Sequence, residues 1–214
     1  MLATQTIDTL KNDTVRTLFA YYKVRIYKKN LQAVCDSLSY ITTDSTFRLF
    51  KDPIVWSDTS QFVADTVHIL LKNERIDRVL LRNNAFIVNS PDEVFFNQIK
   101  GRNITAYFDS TELRRMNVEG NAEAVYYALD DKGGYVGVNK TVASEMLLNF
   151  GNNQIDNIRF YEKPKSDLLP MRQANHEELK MPGFRWETRL RPRSPDDVLT
   201  VFENLQPPPS LGKR

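Results

Sequence analysis

Val63–Ala85, VADTVHILLKNERIDRVLLRNNA, reads as strand, tight turn, strand. Val67, Ile69 and Leu71 alternate with polar neighbours, Lys72-Asn73-Glu74-Arg75 makes the turn, and Val79, Leu81, Ala85 and Ile87 alternate again. One face is apolar and the other charged. Between Ile76 and Val79 the alternation skips one position, which predicts a β-bulge. Thirty-seven residues on, the pattern returns as Ile104, Ala106, Phe108, Leu113, Met116, Val118 and Ala122, with Asn84-Ala85 answered by Asn121-Ala122. A further slide of 42 residues reaches Met146, Leu148, Phe150, Ile155, Ile158 and Phe160. A unit of this length cannot bury its apolar face alone, so successive copies must stack.

The pattern extends toward the N-terminus. Asp36, Leu38 and Tyr40 occupy the places of Asp65, Val67 and Ile69, with Phe47 and Leu49 on the return and Pro53 expected at a strand end or corner. An offset of 61 sets Leu10, Asn12, Val15, Leu18, Ala20, Val24 and Ile26 on Leu71, Asn73, Ile76, Val79, Leu81, Ala85 and Ile87. The chain is therefore expected to begin inside a repeat, with further units upstream in the natural protein; a short amphipathic helix through Ile7, Leu10 and Leu18 is the competing reading.

Lys163 onward is different. Pro164, Pro170, Pro182, Pro192 and Pro195 interrupt long strands, Glu177-Glu178 suggests a brief helix, and Gln-Pro-Pro-Pro-Ser at 206–210 reads as an extended tail. The division expected is residues 5–161 as β-repeats, the first truncated, and 162–214 as an irregular cap with a Pro-rich tail. Arg185, Arg189, Arg191 and Arg193 around Trp186 could meet phosphates or an acidic partner, but Glu187, Asp196 and Asp197 offset their charge and favour a solvated face with local ion pairs.

Composition narrows the function classes. Lys and Arg number 29 against 27 Asp and Glu, so no global field draws the chain to nucleic acid. Only 8 glycines argue against Gly-rich phosphate loops, no run is long enough for a membrane-spanning helix, and the chain is expected to be soluble. The N-terminus lacks a basic start and an apolar run, as in a cytoplasmic protein or a fragment whose targeting segment has been removed. Cys35, the single cysteine, falls at an apolar position beside Val34 and Leu38 and reads as core rather than reactive thiol.

Catalytic patterns are few. His68 and His176 lie far apart, His68 falls on the polar side of its strand as a surface residue, and no paired-His, paired-Cys, nucleophile-elbow or nucleotide-loop motif occurs. The turn Asp130-Asp131-Lys132-Gly133-Gly134 offers too few alternating oxygens for a cation. Asp109, Glu112 and Glu119 could serve sugar cleavage only if they converged, whereas the hairpin places Asp109 and Glu112 at a solvated turn. No catalytic residue, metal or cofactor is expected.

The Ala64-Asp65-Thr66-Val67 and Cys35-Asp36-Ser37-Leu38 opening strands, the alternating return strands and Gly120-Asn121-Ala122 together resemble the OstA-like family over about residues 5–161. That family includes the lipopolysaccharide transport protein LptA and the N-terminal domain of its partner LptD. Leu168-Leu169-Pro170 and Pro182–Trp186 resemble the C-terminal region of its larger members. The resemblance implies an all-β, elongated, folded-over antiparallel jellyroll of stacked hairpins, open at one seam, in the Gram-negative periplasm alongside the inner or outer membrane. It implies lipopolysaccharide or lipid A as ligand, and end-to-end strand pairing with other transport proteins or with itself. The lining it implies is Val67, Ile69, Leu71, Val79, Leu81, Ile104, Ala106, Phe108, Met116, Val118, Met146, Leu148, Phe150, Ile158 and Phe160. The rival is a non-enzymatic structural or assembly repeat whose interior is closed core.

Overall fold

The computed structural model describes residues 2–8, 13–109, 112–151 and 154–198. They form one antiparallel sheet of 13 strands and no α-helix. The strands are β1 (Leu2–Asp8), β2 (Asp13–Lys28), β3 (Leu31–Ile41), β4 (Thr46–Phe50), β5 (Ile54–Ser57), β6 (Ser60–Val63) and β7 (Thr66–Lys72). They continue with β8 (Arg75–Asn89), β9 (Asn97–Asp109), β10 (Glu112–Leu129), β11 (Tyr135–Gly151), β12 (Gln154–Tyr161) and β13 (Lys165–Pro170). Ile7 and Leu18 lie in β1 and β2, so the helical reading of the N-terminus is overturned; Leu10, Asn12 and the tail at 206–210 fall outside the described residues.

The bulge expected between Ile76 and Val79 is present. Leu70 pairs Arg78 while Leu71 pairs Ile76, leaving Asp77 as the extra residue. The same insertion recurs at Arg114 in β10 and Asp156 in β12. Each lies close to its hairpin turn, and the turn at Asn73-Glu74 has positive φ at both residues (51° and 61°), the twist-compatible two-residue form.

A second irregularity shapes the molecule. Besides Asn73-Glu74, five pairs of consecutive residues sit in the left-handed region: Tyr22-Lys23, Lys51-Asp52, Asn83-Asn84, Gly120-Asn121 and Glu162-Lys163. Three of them interrupt the long strands β2, β8 and β10 and two separate β4 from β5 and β12 from β13, and residues on both sides of a break, such as Leu81 and Ala85 or Val118 and Ala122, belong to one apolar cluster. The long strands thus turn a corner and the sheet folds over itself. β1, β4, β7 and β12 join the halves of β2, β3, β8, β9, β10 and β11 on one side of the corners to make a first wall. β5, β6 and β13 join the other halves in a second wall. Pro53 precedes β5 at a corner, as expected.

The expected boundary at 161–162 falls on the last corner. Beyond Glu162-Lys163 the chain runs on as β13 along β11, so Pro164 does not end the repeat but begins its second-wall half at a sheet edge, where a missing N–H costs no ladder bond. Residues 171–198 contain three short 3-10 turns, at Met171–Gln173, Thr188–Leu190 and Asp196–Val198, and no strand; the helix suggested at Glu177-Glu178 is a run of turns.

Candidate apolar binding trough

The fifteen residues named from the sequence share one apolar cluster between the walls. Ten are buried in it; Leu71, Phe108, Phe150, Ile158 and Phe160 pack against it half-buried. Burial follows a gradient along each first-wall strand. Next to the corner Leu81, Ile104 and Val118 are 0–1 % exposed, whereas toward the hairpin turns Leu71, Phe108, Leu113, Phe150 and Ile155 are only half covered. The second-wall halves of β2, β8 and β9 are shorter than their first-wall halves, so the first wall overhangs at those tips, while in β3, β10 and β11 the second-wall half is at least as long as the first. The cleft is closed at the corner and open along the line of hairpin turns.

Facing residues explain the closure. The second wall contributes Ala33, Ala85, Ala122, Ala124 and Ala143 beside the larger Leu31, Val55, Phe62, Ile87 and Ile99, and the small side chains leave room for the large ones of the first wall. The alternation reached Ala85 and Ala122 but not Ala33, Ala124 and Ala143, and it placed Phe47 and Leu113, which lie at the mouth, outside the expected lining. Phe47 stacks on Tyr40 with ring centroids 4.3 Å apart.

Among the described residues Cys35 is the titratable member of the buried trough cluster. The Cys35 thiol is 6 % exposed on the trough's inner surface, and desolvation pushes its pKa up to about 12, so it is an inert core thiol. His68 is half-buried on the outer face opposite Arg48 rather than freely exposed, and burial together with Arg48 and Arg82 lowers its pKa. Asp109, Glu112 and Glu119 are exposed, Glu112 pairs with Arg114, and the three do not converge on a cleft. Asp130 uses its carboxylate to accept the N–H groups of Lys132 and Gly134 at 2.9 and 2.8 Å, which closes the β10–β11 turn. Among the described residues no group of three or more His, Cys, Asp or Glu side chains could hold a metal ion, and no helix is long and apolar enough to cross a membrane.

Of the arginines near Trp186, Arg189 and Arg193 are exposed, Arg189 in the expected local ion pair with Glu187, while Arg185 and Arg191 tie the C-terminal segment to the sheet. Arg185 grips Asp52 through both terminal nitrogens at 2.5 and 3.0 Å, and Arg191 donates to Gln32 Oε1 and the Asp58 carbonyl.

These features define an all-β hairpin-repeat protein, one antiparallel sheet folded over an apolar interior. No family model matches the sequence, and no curated protein matches it. Among solved structures the chain is similar to LptH, the LptA homologous periplasmic component of the lipopolysaccharide transport device from Pseudomonas aeruginosa. Identity is 14 %, the TM-score is 0.47, and the match covers 65 % of this chain and 93 % of that one.

Proposed function

We propose that this protein is a periplasmic lipid-binding component of a lipopolysaccharide export bridge, sheltering acyl chains between its walls. The observation that carries the reading is the burial gradient: apolar side chains in register across successive hairpins, sealed at the corner and half uncovered along the tips, line an elongated greasy mouth. The OstA-like pattern of Ala64–Val67, Cys35–Leu38 and Gly120–Ala122 supplies the ligand class. Enclosing an acyl chain of about a dozen carbons would yield on the order of 10 kcal/mol at about 0.8 kcal/mol per methylene, and the half-open mouth gives less. Weaker, repeated holding suits a conduit that must pass its cargo on. The outer edges of β1 and β12 close no barrel, and strand pairing there would join successive bridge components end to end.

Mass spectrometry of an organic extract of protein purified gently from its native host tests the reading. An acylated glycolipid is expected, and a photo-crosslinker at Phe108 or Phe150 should attach to it. One observation favours a second reading, a structural repeat with closed core: Ala106, midway along the lining, is 0 % exposed. Absence of lipid together with unlabelled tips would select it.

A further inference from the structure

Most of the second wall is covered on both faces, its β13 edge being exposed. Its outer face carries Ile54, Trp56, Val63, Phe86, Val88, Val125, Tyr127 and Val138, and residues 171–198 lie across it with Leu179, Met181, Phe184, Trp186 and Leu190 pressed against the sheet. This strap crosses the strands in order. His176 meets Tyr127 of β10, Leu179 and Met181 meet Gln98 of β9, Arg185 and Glu187 meet Gln61 of β6, Arg191 meets Gln32 of β3, and Leu190 and Asp197 receive Arg25 of β2.

The three glutamines are a repeated device. Gln32, Gln61 and Gln98 stand 29 and then 37 residues apart, the same intervals that separate Cys35, Ala64 and Gly101, so they occupy one position in three successive repeats. All are buried at 1–3 % exposure. Gln98 donates to the Leu179 carbonyl at 3.1 Å and accepts the Met181 N–H at 2.8 Å; Gln61 donates to the Arg185 carbonyl at 2.8 Å and accepts the Glu187 N–H at 2.7 Å. Gln61 and Gln98 therefore each read a carbonyl and an N–H two residues apart, the spacing a neighbouring strand would read, without reference to the strap's side chains, whereas Gln32 donates to the Lys28 and Lys29 carbonyls and accepts from the Arg191 side chain. At the fourth equivalent position, 42 residues after Gln98, stands Lys140, where β11 pairs β13 instead.

The strap also pins the corners. Arg185 holds Asp52, in the left-handed pair that turns β4 into β5, and Lys100, next to the β9 corner, donates to the Pro182 carbonyl at 3.3 Å. We propose that residues 171–198 are an intramolecular ligand of a repeat-encoded backbone-reading groove, with Gln61 and Gln98 as its positioning residues and Gln32 as the anchor of Arg191, and that its docking braces the second wall against the first and limits how far the trough opens. The strap shares no strand pairing with the sheet, so it can release as a unit while both walls keep their ladders. Release frees the second wall to move away from the first. The brace deepens the trough reading by giving it a gate, but its test reads access and not lipid, so either can fail alone.

Cys35 is the built-in reporter, because its thiol lies on the inner surface of the second wall. In the full chain carrying Gln61→Leu and Gln98→Leu, the Met181 and Glu187 amides are expected to exchange at least tenfold faster. Cys35 should react with a thiol reagent at least tenfold faster, while the Ile104 and Val118 amides keep their protection. Retained protection at Met181 and Glu187 would overturn the role of the glutamines, and a released strap with Cys35 still reacting at the wild-type rate would overturn the brace. Should the double variant lose its first-wall protection, the wild-type chain in sub-denaturing urea decides. Met181 exchange and Cys35 labelling then rise together ahead of Ile104 and Val118, or all four open at one urea concentration and the proposal fails.

Discussion

Gly101 and Val118 face each other so closely that a methyl group on Gly101 would stand 2.6 Å from Val118 Cγ1. Gly101 opens the inside of the β9 corner, opposite Ala85, where the walls diverge. Val118 is 0 % exposed and its branched side chain has little rotameric freedom. Gly101→Ala should therefore destabilise the protein by about 1–3 kcal/mol, the usual cost of overpacking a core. Urea unfolding measures it, and the double variant Gly101→Ala, Val118→Ala should recover part of the loss. Additive losses in the double variant would show that the two positions do not touch.

The corners make a second prediction. Asn84 holds φ 49° and its side-chain amide donates to both Asp65 carboxylate oxygens at 3.0 and 3.1 Å. Valine there loses these bonds and puts a β-branched residue in the left-handed region, a strain of about 1–3 kcal/mol. Asn84→Gly keeps the backbone freedom and should cost distinctly less. Equal melting temperatures for the two variants would mean that the corner does not demand positive φ in solution.

How far the corners could be read in the sequence depends on which residues occupy them. Asn83-Asn84 and Gly120-Asn121 are left-handed formers, but Tyr22-Lys23, Lys51-Asp52 and Glu162-Lys163 are not, and there the conformation is imposed by the neighbouring strands rather than by local preference. The bulge at Asp77 was legible because it shifts the parity of the apolar residues around it. The strap was not, because its anchors are contacts between residues more than 80 positions apart, such as Gln98 with Leu179. The segment itself was legible as an irregular, Pro-interrupted cap, but its anchoring left only a glutamine recurring at the repeat interval. The second wall was legible only in part: Ala85 and Ala122 fell in the repeated alternation, but Ala33, Ala124 and Ala143 show little amphipathic contrast, although they share the same buried cluster.

Two positions two residues apart on β9 separate trough from core. Ala106 is fully enclosed, so Ala106→Asp buries a carboxylate without a partner and should unfold the chain or cost several kcal/mol. Phe108 is half-buried at the mouth, and Phe108→Asp can turn its charge toward water. Circular dichroism should show a native sheet for Phe108→Asp with lipid crosslinking reduced severalfold. If crosslinking at Phe150 survives Phe108→Asp undiminished, the mouth is not a shared path for the ligand.

Alkaline stability follows from Cys35. Its folded pKa is raised from 9.0 to about 12 by burial, so the folded state keeps the proton that the unfolded chain releases first. A group raised in this way contributes its full stabilisation below pH 9 and loses it as pH climbs toward 12, with a span on the order of 4 kcal/mol from about 1.36 kcal/mol per unit. Tyr135 contributes in the upper part of the same window: burial and its hydrogen bond to Asp92 raise its pKa from 10.0 to about 12. Wild-type stability measured by urea unfolding should be level in this respect from pH 7 to 9 and then fall. Cys35→Ala should lower the plateau through the lost sulfur packing yet flatten the decline that begins at pH 9, while Tyr135→Phe should spare that onset and flatten only the limb above pH 10. If Cys35→Ala leaves the onset at pH 9 unchanged, the thiol is not held protonated inside the folded sheet, and the closed corner of the trough is more accessible to water than its burial indicates.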